Sequence, residues 1–417
     1  MFSQMVGETA LIIGLVSFLG LLVQKKGFPF VIEGTIKAIV GYVILQFGAY
    51  LAIEQLSRLT VLLERAFNVS GIVPNNEMIA GISQWYYGQT IVMIMFTGLI
   101  VHILIARFSP YKFIFLTGHH ILYMASLMAI IMVGSGMVLW VQVLVGGVVL
   151  ALCMTFFPAI CQPMMRKVIP DQNVAIAHFG SIGYVIAGYL GKAVASKKPS
   201  EKKWSEKTVS SLSFFTNMNV TITLFMLSFF IFVGVFAGMD ILSEQSGSRN
   251  VIIYAVMQSV KFTAGIYIII IGVRMVLTEV LTAFKGITDK LVPGAIPAMD
   301  CPVIFPYAPA AAVMGFAASL AGGFVSMGIL IGFNMAIVLP AIIAHFFSGG
   351  ASGVFGYVMG GVRGAIVGAF AHGMLITFLS LNLMPVMNRV GYTQTTFSDS
   401  DFSIVGLLLF WLLELVF

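Results

Sequence analysis

The chain has 417 residues, of which 59% are hydrophobic and 9% charged, with a formal net charge of +6 and a mean hydropathy of +1.02. A soluble domain carries roughly 25% charged residues, and no soluble fold of this length could hide so much apolar surface, which excludes a soluble enzyme and leaves no stretch polar enough for a folded catalytic domain. Nor does the positive excess point to nucleic acid: Lys25-Lys26, Arg107 with Lys112, Arg166-Lys167, the block Lys192 to Lys207 and Lys285 with Lys290 fall on one side of the predicted spans, with Asp240, Glu244 and Arg249 on the other.

Runs such as Thr9 to Gln24, Thr90 to Ala106, Met137 to Cys161, Val220 to Gly238 and Phe402 to Phe417 have the length that hydrocarbon requires. They predict an all-α polytopic membrane protein of about eleven transmembrane helices. By the positive-inside rule the N-terminus lies outside and the C-terminus inside. The first run lacks a basic leader and a small-residue cleavage site, so it reads as a retained helix rather than a signal peptide. A second helix starts near Phe30 and runs to Ile53, carrying Glu33 and Lys37 four residues apart on one face. From Glu54 to Val69 charges alternate with Leu56, Leu59, Leu62 and Leu63, the pattern of an amphipathic helix lying on the outer surface.

After the loop 71–77, helices are expected near 87–106, 113–134 and 138–162. Val174 to Ala195 is too polar and glycine-rich for an ordinary span and is bracketed by basic residues. It is expected to form a re-entrant hairpin, which needs protein or water around its backbone. The hydrophilic linker 196–210 divides a single membrane unit, 1–417, into an N-terminal half, 1–195, and a C-terminal half, 211–417. The halves share a faint echo, Gly183-Tyr184-Val185-Ile186-Ala187-Gly188-Tyr189-Leu190-Gly191 against Gly356-Tyr357-Val358-Met359-Gly360-Gly361-Val362-Arg363-Gly364, of the kind that internal repeats leave in transporters.

Ionisable groups stranded in apolar surroundings need a partner or a pathway. Here they include Asn76, Glu77, His102, His119, His120, His178, Lys261, Arg274, Glu279, Asp300, His345, Arg363 and His372. Asp300, before Cys301-Pro302 and between two apolar stretches, is the first place to look for a solute. His119 and His120 are adjacent, so on a helix they point about 100° apart and at most one faces a central site. No His-Glu-x-x-His, nucleophile elbow or phosphate loop occurs, so no metal, cofactor or direct use of ATP is expected. The three cysteines, Cys153, Cys161 and Cys301, lie within or beside apolar runs rather than in paired loops. What remains is a membrane cavity of carboxylates, imidazoles, tyrosines and amides, an inventory suited to a polyhydroxylated solute.

The strings Gly272-Val273-Arg274-Met275, Ala283-Phe284-Lys285-Gly286-Ile287, Leu291-Val292-Pro293-Gly294-Ala295, Met299-Asp300-Cys301, Tyr307-Ala308-Pro309, Glu33-Gly34-Thr35-Ile36-Lys37 and Leu116-Thr117-Gly118-His119 resemble the ascorbate-specific membrane component, enzyme IIC, of the bacterial phosphoenolpyruvate-dependent phosphotransferase system. The resemblance implies a homodimer in a cytoplasmic membrane, each protomer having a substrate-binding core and a dimerisation domain. Partner subunits are implied too: enzyme IIA, and an enzyme IIB whose phosphocysteine passes its phosphoryl group to the incoming sugar. Enzyme IIC would then be the membrane part of a phosphotransferase, without a complete active site of its own.

Matched residue by residue, the family's substrate histidines fall on His119 and His178, its carboxylate on Asp300, and its loop on Asn76 and Glu77. Asp300 would anchor a hydroxyl or act as base, and His178 would meet the phosphoryl group. Two glutamines of some ascorbate-specific members are replaced by Tyr123 and Phe179, and an asparagine by Ala310. Those departures open the substrate class to L-ascorbate or a related neutral polyol or lactone. The competing readings are a proton-coupled secondary transporter, with Asp300 or Glu77 releasing a proton, and a passive channel.

Overall fold

Between Phe28 and Phe67 the only proline is Pro29, in the first turn where its missing N–H costs nothing. The chain accordingly forms one helix of 40 residues, about 60 Å long. The expected break at Glu54 is therefore corrected: the charged stretch extends the second helix instead of lying down as a separate one. Two ion pairs run along the helix, Lys37 Nζ with Glu33 Oε1 at 2.5 Å and Arg58 with Glu54 at 2.8 Å. The computed structural model describes residues 8–67, 71–72, 74–170, 173–195, 218–247, 249–290, 292–392 and 395–416, so the linker 196–210 lies outside the described residues.

Among the described residues the longer helices are, in chain order, α1 (Thr9–Val23), α2 (Phe28–Phe67), α3 (Asn76–Phe108, kinked at Tyr87), α4 (Gly118–Gly134), α5 (Leu139–Val168), α6 (Ser181–Ala193), α7 (Met218–Ala237), α8 (Met239–Ser246), α9 (Val251–Lys290), α10 (Pro309–Gly332), α11 (Gly350–Arg389, entered through the short helix Ile342–Ala344 and the π-helix His345–Gly349) and α12 (Ser400–Val416). Among the described residues six helical stretches are long and apolar enough to cross a membrane, and three shorter apolar helices accompany them. The protein is thus the all-α polytopic membrane protein that its composition demanded.

Helices α1, α2, α7, α8 and α9 pack mainly on one another, and α3 to α6 with α10 to α12 form a second group. The first group is built on an antiparallel seam where α2 and α9 touch backbone to backbone. A Cβ on Gly48 would stand 2.6 Å from the amide nitrogen of Ile269, and one on Gly272 2.4 Å from that of Leu45. Gly41 and Gly265 meet the opposite helix in the same way, at 2.8 Å from Met275 Cβ and 2.8 Å from the carbonyl oxygen of Gly48. Small residues serve this purpose in membranes because lipid supplies no hydrophobic drive between helices, and close approach is what gains dispersion energy.

The second group holds the non-helical backbone. The expected helix at 113–117 is corrected to a strand, β1 (Phe113–Phe115), which pairs in parallel with β3 (Ile296–Met299); β2 (Ala175–Ile176) pairs in parallel on the other side, giving the order β1-β3-β2. Phe115 aligns with Ala298, and Ile176 with Met299. His102 of α3 supports the sheet, accepting the Phe115 amide at Nε2 at 3.2 Å and bonding Thr155 through Nδ1 at 3.0 Å.

The segment expected to be re-entrant supplies β2 and then α6, whose 13 residues extend about 20 Å, short of the roughly 30 Å hydrocarbon thickness. Helix α6 lies against α11, which breaks at Gly361 (φ 65°, ψ −156°). The two glycine-rich strings that echo in the sequence touch here, since a Cβ on Gly191 would stand 2.7 Å from the carbonyl of Gly356.

Replacing Gly48 or Gly272 with leucine forces α2 and α9 apart and should cost about 1–3 kcal/mol or more. The expected result is a lowered midpoint of thermal denaturation in detergent. Gly328→Ala, at a helical position with nothing within 4 Å of the added Cβ, should leave the midpoint unchanged or raise it slightly.

Candidate substrate cavity

Because the three strands are parallel, their carboxyl ends fall together. The residues that follow each strand are the ones the sequence singled out. Leu116-Thr117 lead from β1 to the N-terminus of α4 with His119 and His120; Ala177-His178-Phe179-Gly180 lead from β2 to α6; and Asp300 leads from β3 into the 3-10 helix Cys301–Tyr307. Ligands favour such a crevice in parallel sheets, and short helices starting at a site recur in transporters.

Of these residues His119, His120, His178 and Asp300 open onto a cavity of about 470 Å³, within the usual range for small-molecule sites. One wall is α2, which presents Tyr42, Leu45, Gln46, Ala49, Ile53 and Ser57 at helical spacing. The opposite side consists of Asn75, Asn76, His119, His120, Tyr123, His178, Asp300, Ser398, Asp399 and the start of the helical segment that leads into α11, Ala341 to Ala344 with Phe347. Backbone bonds tie the covering loops to each other: Ile72 N–H to Ile337 O at 2.9 Å, Leu339 N–H to Ile72 O at 2.9 Å and Asn75 N–H to Thr396 O at 2.9 Å.

Asp300 turns Oδ1 back to the Cys301 amide at 2.7 Å and places Oδ2 3.4 Å from His119 Nε2. That oxygen and the partly exposed His119 ring are thereby held at the cavity surface. His120 is buried; its Nδ1 accepts the Phe179 amide at 3.3 Å, and its ring stacks on Phe402 and sits 3.9 Å, centroid to centroid, from His178. His178 bonds the Tyr184 hydroxyl through Nδ1 at 2.7 Å, leaving Nε2 as the ring nitrogen not used by that bond. From Tyr184 a contact of 3.5 Å leads to the Ser348 hydroxyl, which donates to Asp399 Oδ1.

Of the residues the sequence proposed, Asn76, His119, Tyr123, His178 and Asp300 line the cavity together. Phe179 does not: it is fully buried in an aromatic cluster with Phe115, Phe157 and Phe402, and supports the site from behind. Glu77 belongs to the first turn of α3, and its side chain lies outside the described residues. His102 serves the sheet, and His345 and His372 share Ser319, at 2.8 and 3.4 Å, away from the cavity. Ligand-type atoms of His119, His120 and Asp300, and of His178, Asp300 and Cys301, come within 4.8 Å of one another. His120 Nδ1 and Asp300 Oδ1 are nevertheless already occupied by amides.

Sequence reasoning passed over two carboxylates. Asp401 is fully buried and caps α6 from a distance of more than two hundred residues, accepting Ser181 N–H at 2.8 Å and Ile182 N–H at 3.0 Å. Asp399 lines the cavity. Its Oδ2 accepts Asn76 Nδ2 at 2.7 Å and Ser398 Oγ at 3.1 Å, while Asn76 Oδ1 accepts the Ser398 amide at 2.9 Å. Both stand in Phe397-Ser398-Asp399-Ser400-Asp401, whose composition is that of a solvated loop. The capping signature ahead of the last apolar run was the available signal, and it predicts only a helix start.

A bundle of apolar helices that breaks its own secondary structure to surround a polar, solute-sized cavity defines a membrane transport protein. The sequence-family model for the sugar-specific permease component of phosphotransferase systems, EIIC-GAT, matches residues 4–401, and the chain belongs to that family. It is similar to the ascorbate-specific PTS system EIIC component of Mycoplasma pneumoniae (strain ATCC 29342 / M129 / Subtype 1), with 23% identity over 461 aligned positions, covering 96% of this chain and 69% of that protein.

Asp401→Ala should remove the acceptor for two amides at the start of α6 and lower stability by about 1–3 kcal/mol. Asp401→Asn, which keeps one acceptor oxygen, should lose less in the same thermal denaturation assay.

Proposed function

We propose that this permease component binds L-ascorbate or a related sugar or polyol in the cavity between α2 and the strand ends, and presents it to a phosphorylated enzyme IIB on the cytoplasmic side. Enzyme IIA would recharge enzyme IIB. The observation that supports this most directly is the convergence of Asp300, His119 and His178 on one cavity of about 470 Å³, in a chain whose family is that of sugar-specific permeases. Ascorbate is the first solute to try because the similar Mycoplasma pneumoniae protein bears that name.

In this reading the protein contributes position rather than covalent chemistry. Asp300 accepts a hydrogen bond from a solute hydroxyl, His119 beside it fixes the carboxylate, and His178, oriented by Tyr184, offers Nε2 to a second oxygen or to the incoming phosphoryl group. A hydroxyl held in line with the donor phosphorus is most of what phosphoryl transfer asks of its acceptor site. The added charge then keeps the product inside the cell. The group of helices around α2 and α9 serves as the dimerising frame, and the group carrying the sheet is the part that moves to alternate access. The N-terminus faces outward and the C-terminus the cytoplasm of a bacterial cell.

The test is uptake of labelled L-ascorbate and of a pentitol and hexitol panel by vesicles holding the protein, with the soluble phosphotransferase proteins and phosphoenolpyruvate supplied. A solute phosphate should appear inside only when phosphoenolpyruvate is present, and collapse of the proton gradient should not prevent it. Accumulation of free solute driven by that gradient would sink the reading. Asp300→Asn, which keeps the cap on Cys301, should lower phosphorylated product on the order of tenfold to a hundredfold through lost positioning.

A further inference from the structure

We infer that Asp399 is a specificity residue that makes this cavity select a neutral polyhydroxylated solute over an anionic one; this rests on the reading of the cavity as the solute site. Two carboxylates, Asp300 and Asp399, line the cavity, and no lysine or arginine does so among the described residues. Asp399 is satisfied entirely by neutral donors: Asn76 Nδ2 and Ser398 Oγ on Oδ2, and Ser348 Oγ on Oδ1. A carboxylate has about four acceptor positions, so one remains for a hydroxyl of the solute.

The imidazoles do not offset both charges. His119 already stands beside Asp300. His120 Nδ1 accepts the Phe179 amide, which requires a lone pair there and so keeps that ring in a neutral tautomer. Protonated His178 would lie against Tyr184 and the His120 ring, on the Asp300 side of the site rather than beside Asp399, whose own partners are an amide and two hydroxyls. The Asp399 end of the cavity is therefore acceptor-rich, and the one imidazole in electrostatic reach of it, His119, is shared with Asp300. A hydroxyl that donates is welcome there, whereas an anion such as the ascorbate enolate meets a like charge in a site of low dielectric. Discrimination of this kind works by an unfavourable contact with the wrong ligand as much as by a favourable one with the right ligand.

The experiment is competition binding to the purified full-length protein at pH 7, using xylitol, D-sorbitol, galactitol and L-ascorbate as probes, for the unaltered protein and for Asp399→Asn and Asp399→Glu. The unaltered protein should bind at least one of the neutral probes at least tenfold more tightly than ascorbate. Asp399→Asn should narrow that ratio at least tenfold by improving ascorbate, and Asp399→Glu should preserve the preference. An unaltered protein that binds no neutral probe tenfold more tightly than ascorbate, or an Asp399→Asn variant that leaves that ratio unchanged, would overturn the inference while leaving the permease reading intact. If no probe binds and none is phosphorylated with phosphoenolpyruvate present, the permease reading fails and this inference with it. A ratio below tenfold for the unaltered protein overturns the inference by itself, so misfolding of a variant does not rescue the idea.

Discussion

Backbone amides buried away from water must find partners, and in this protein that constraint is met by three short parallel strands that satisfy one another inside a shell of helices. Residues from three distant parts of the chain, 113–115, 175–176 and 296–299, supply them. The ladder continues past its formal ends, with Ile296 N–H to Lys112 O at 2.8 Å and Leu116 N–H to Ala298 O at 3.0 Å. Once the strands run the same way, the loops after them must emerge together, and His119, His178 and Asp300 meet without belonging to neighbouring sequence. The sheet thus does for a membrane cavity what strand ends do for open α/β folds.

A second consequence is the way in which charge is handled. Asp401 and Asp399 are both buried, yet they serve different ends. Asp401 faces the first amides of α6, where the partial positive charge of a helix start compensates it. Asp399 is held by side-chain donors at the cavity surface, and Asn76 ties its loop to the start of α3. The turn before α12 therefore joins the opening of the cavity to the root of the short helix, and it does so through hydrogen bonds that a solvated loop would not need.

The apolar runs made the helical membrane class legible, and the stranded ionisable residues led to most of the cavity. Asp300 and the histidines were visible because a polar side chain between apolar stretches has few places to go. The strands were not visible. Phe113-Ile114-Phe115 is too short and apolar to be told from a helix start, and Pro293, Gly294 and Pro297 around β3 read as loop signals. Pairing across more than a hundred residues leaves no local periodicity. Asp399 and Asp401 were hidden for the opposite reason, since their polar neighbours made them look solvated. At Glu54 the change from apolar to amphipathic pattern was mistaken for a boundary, although nothing in the backbone chemistry there stops a helix.

The seam between α2 and α9 bears on how this sequence can drift. Packed positions commonly change in compensating steps, one side chain growing as its neighbour shrinks. At Gly48 and Gly265 each residue faces the other helix's main chain, and neither has a side chain to give up. No exchange of bulk across the contact can relieve a larger residue, so the usual neutral path is closed at these positions. Lineages that descend from this chain can vary the lipid-facing surface of the two helices freely, but they inherit the distance between their axes as a fixed quantity.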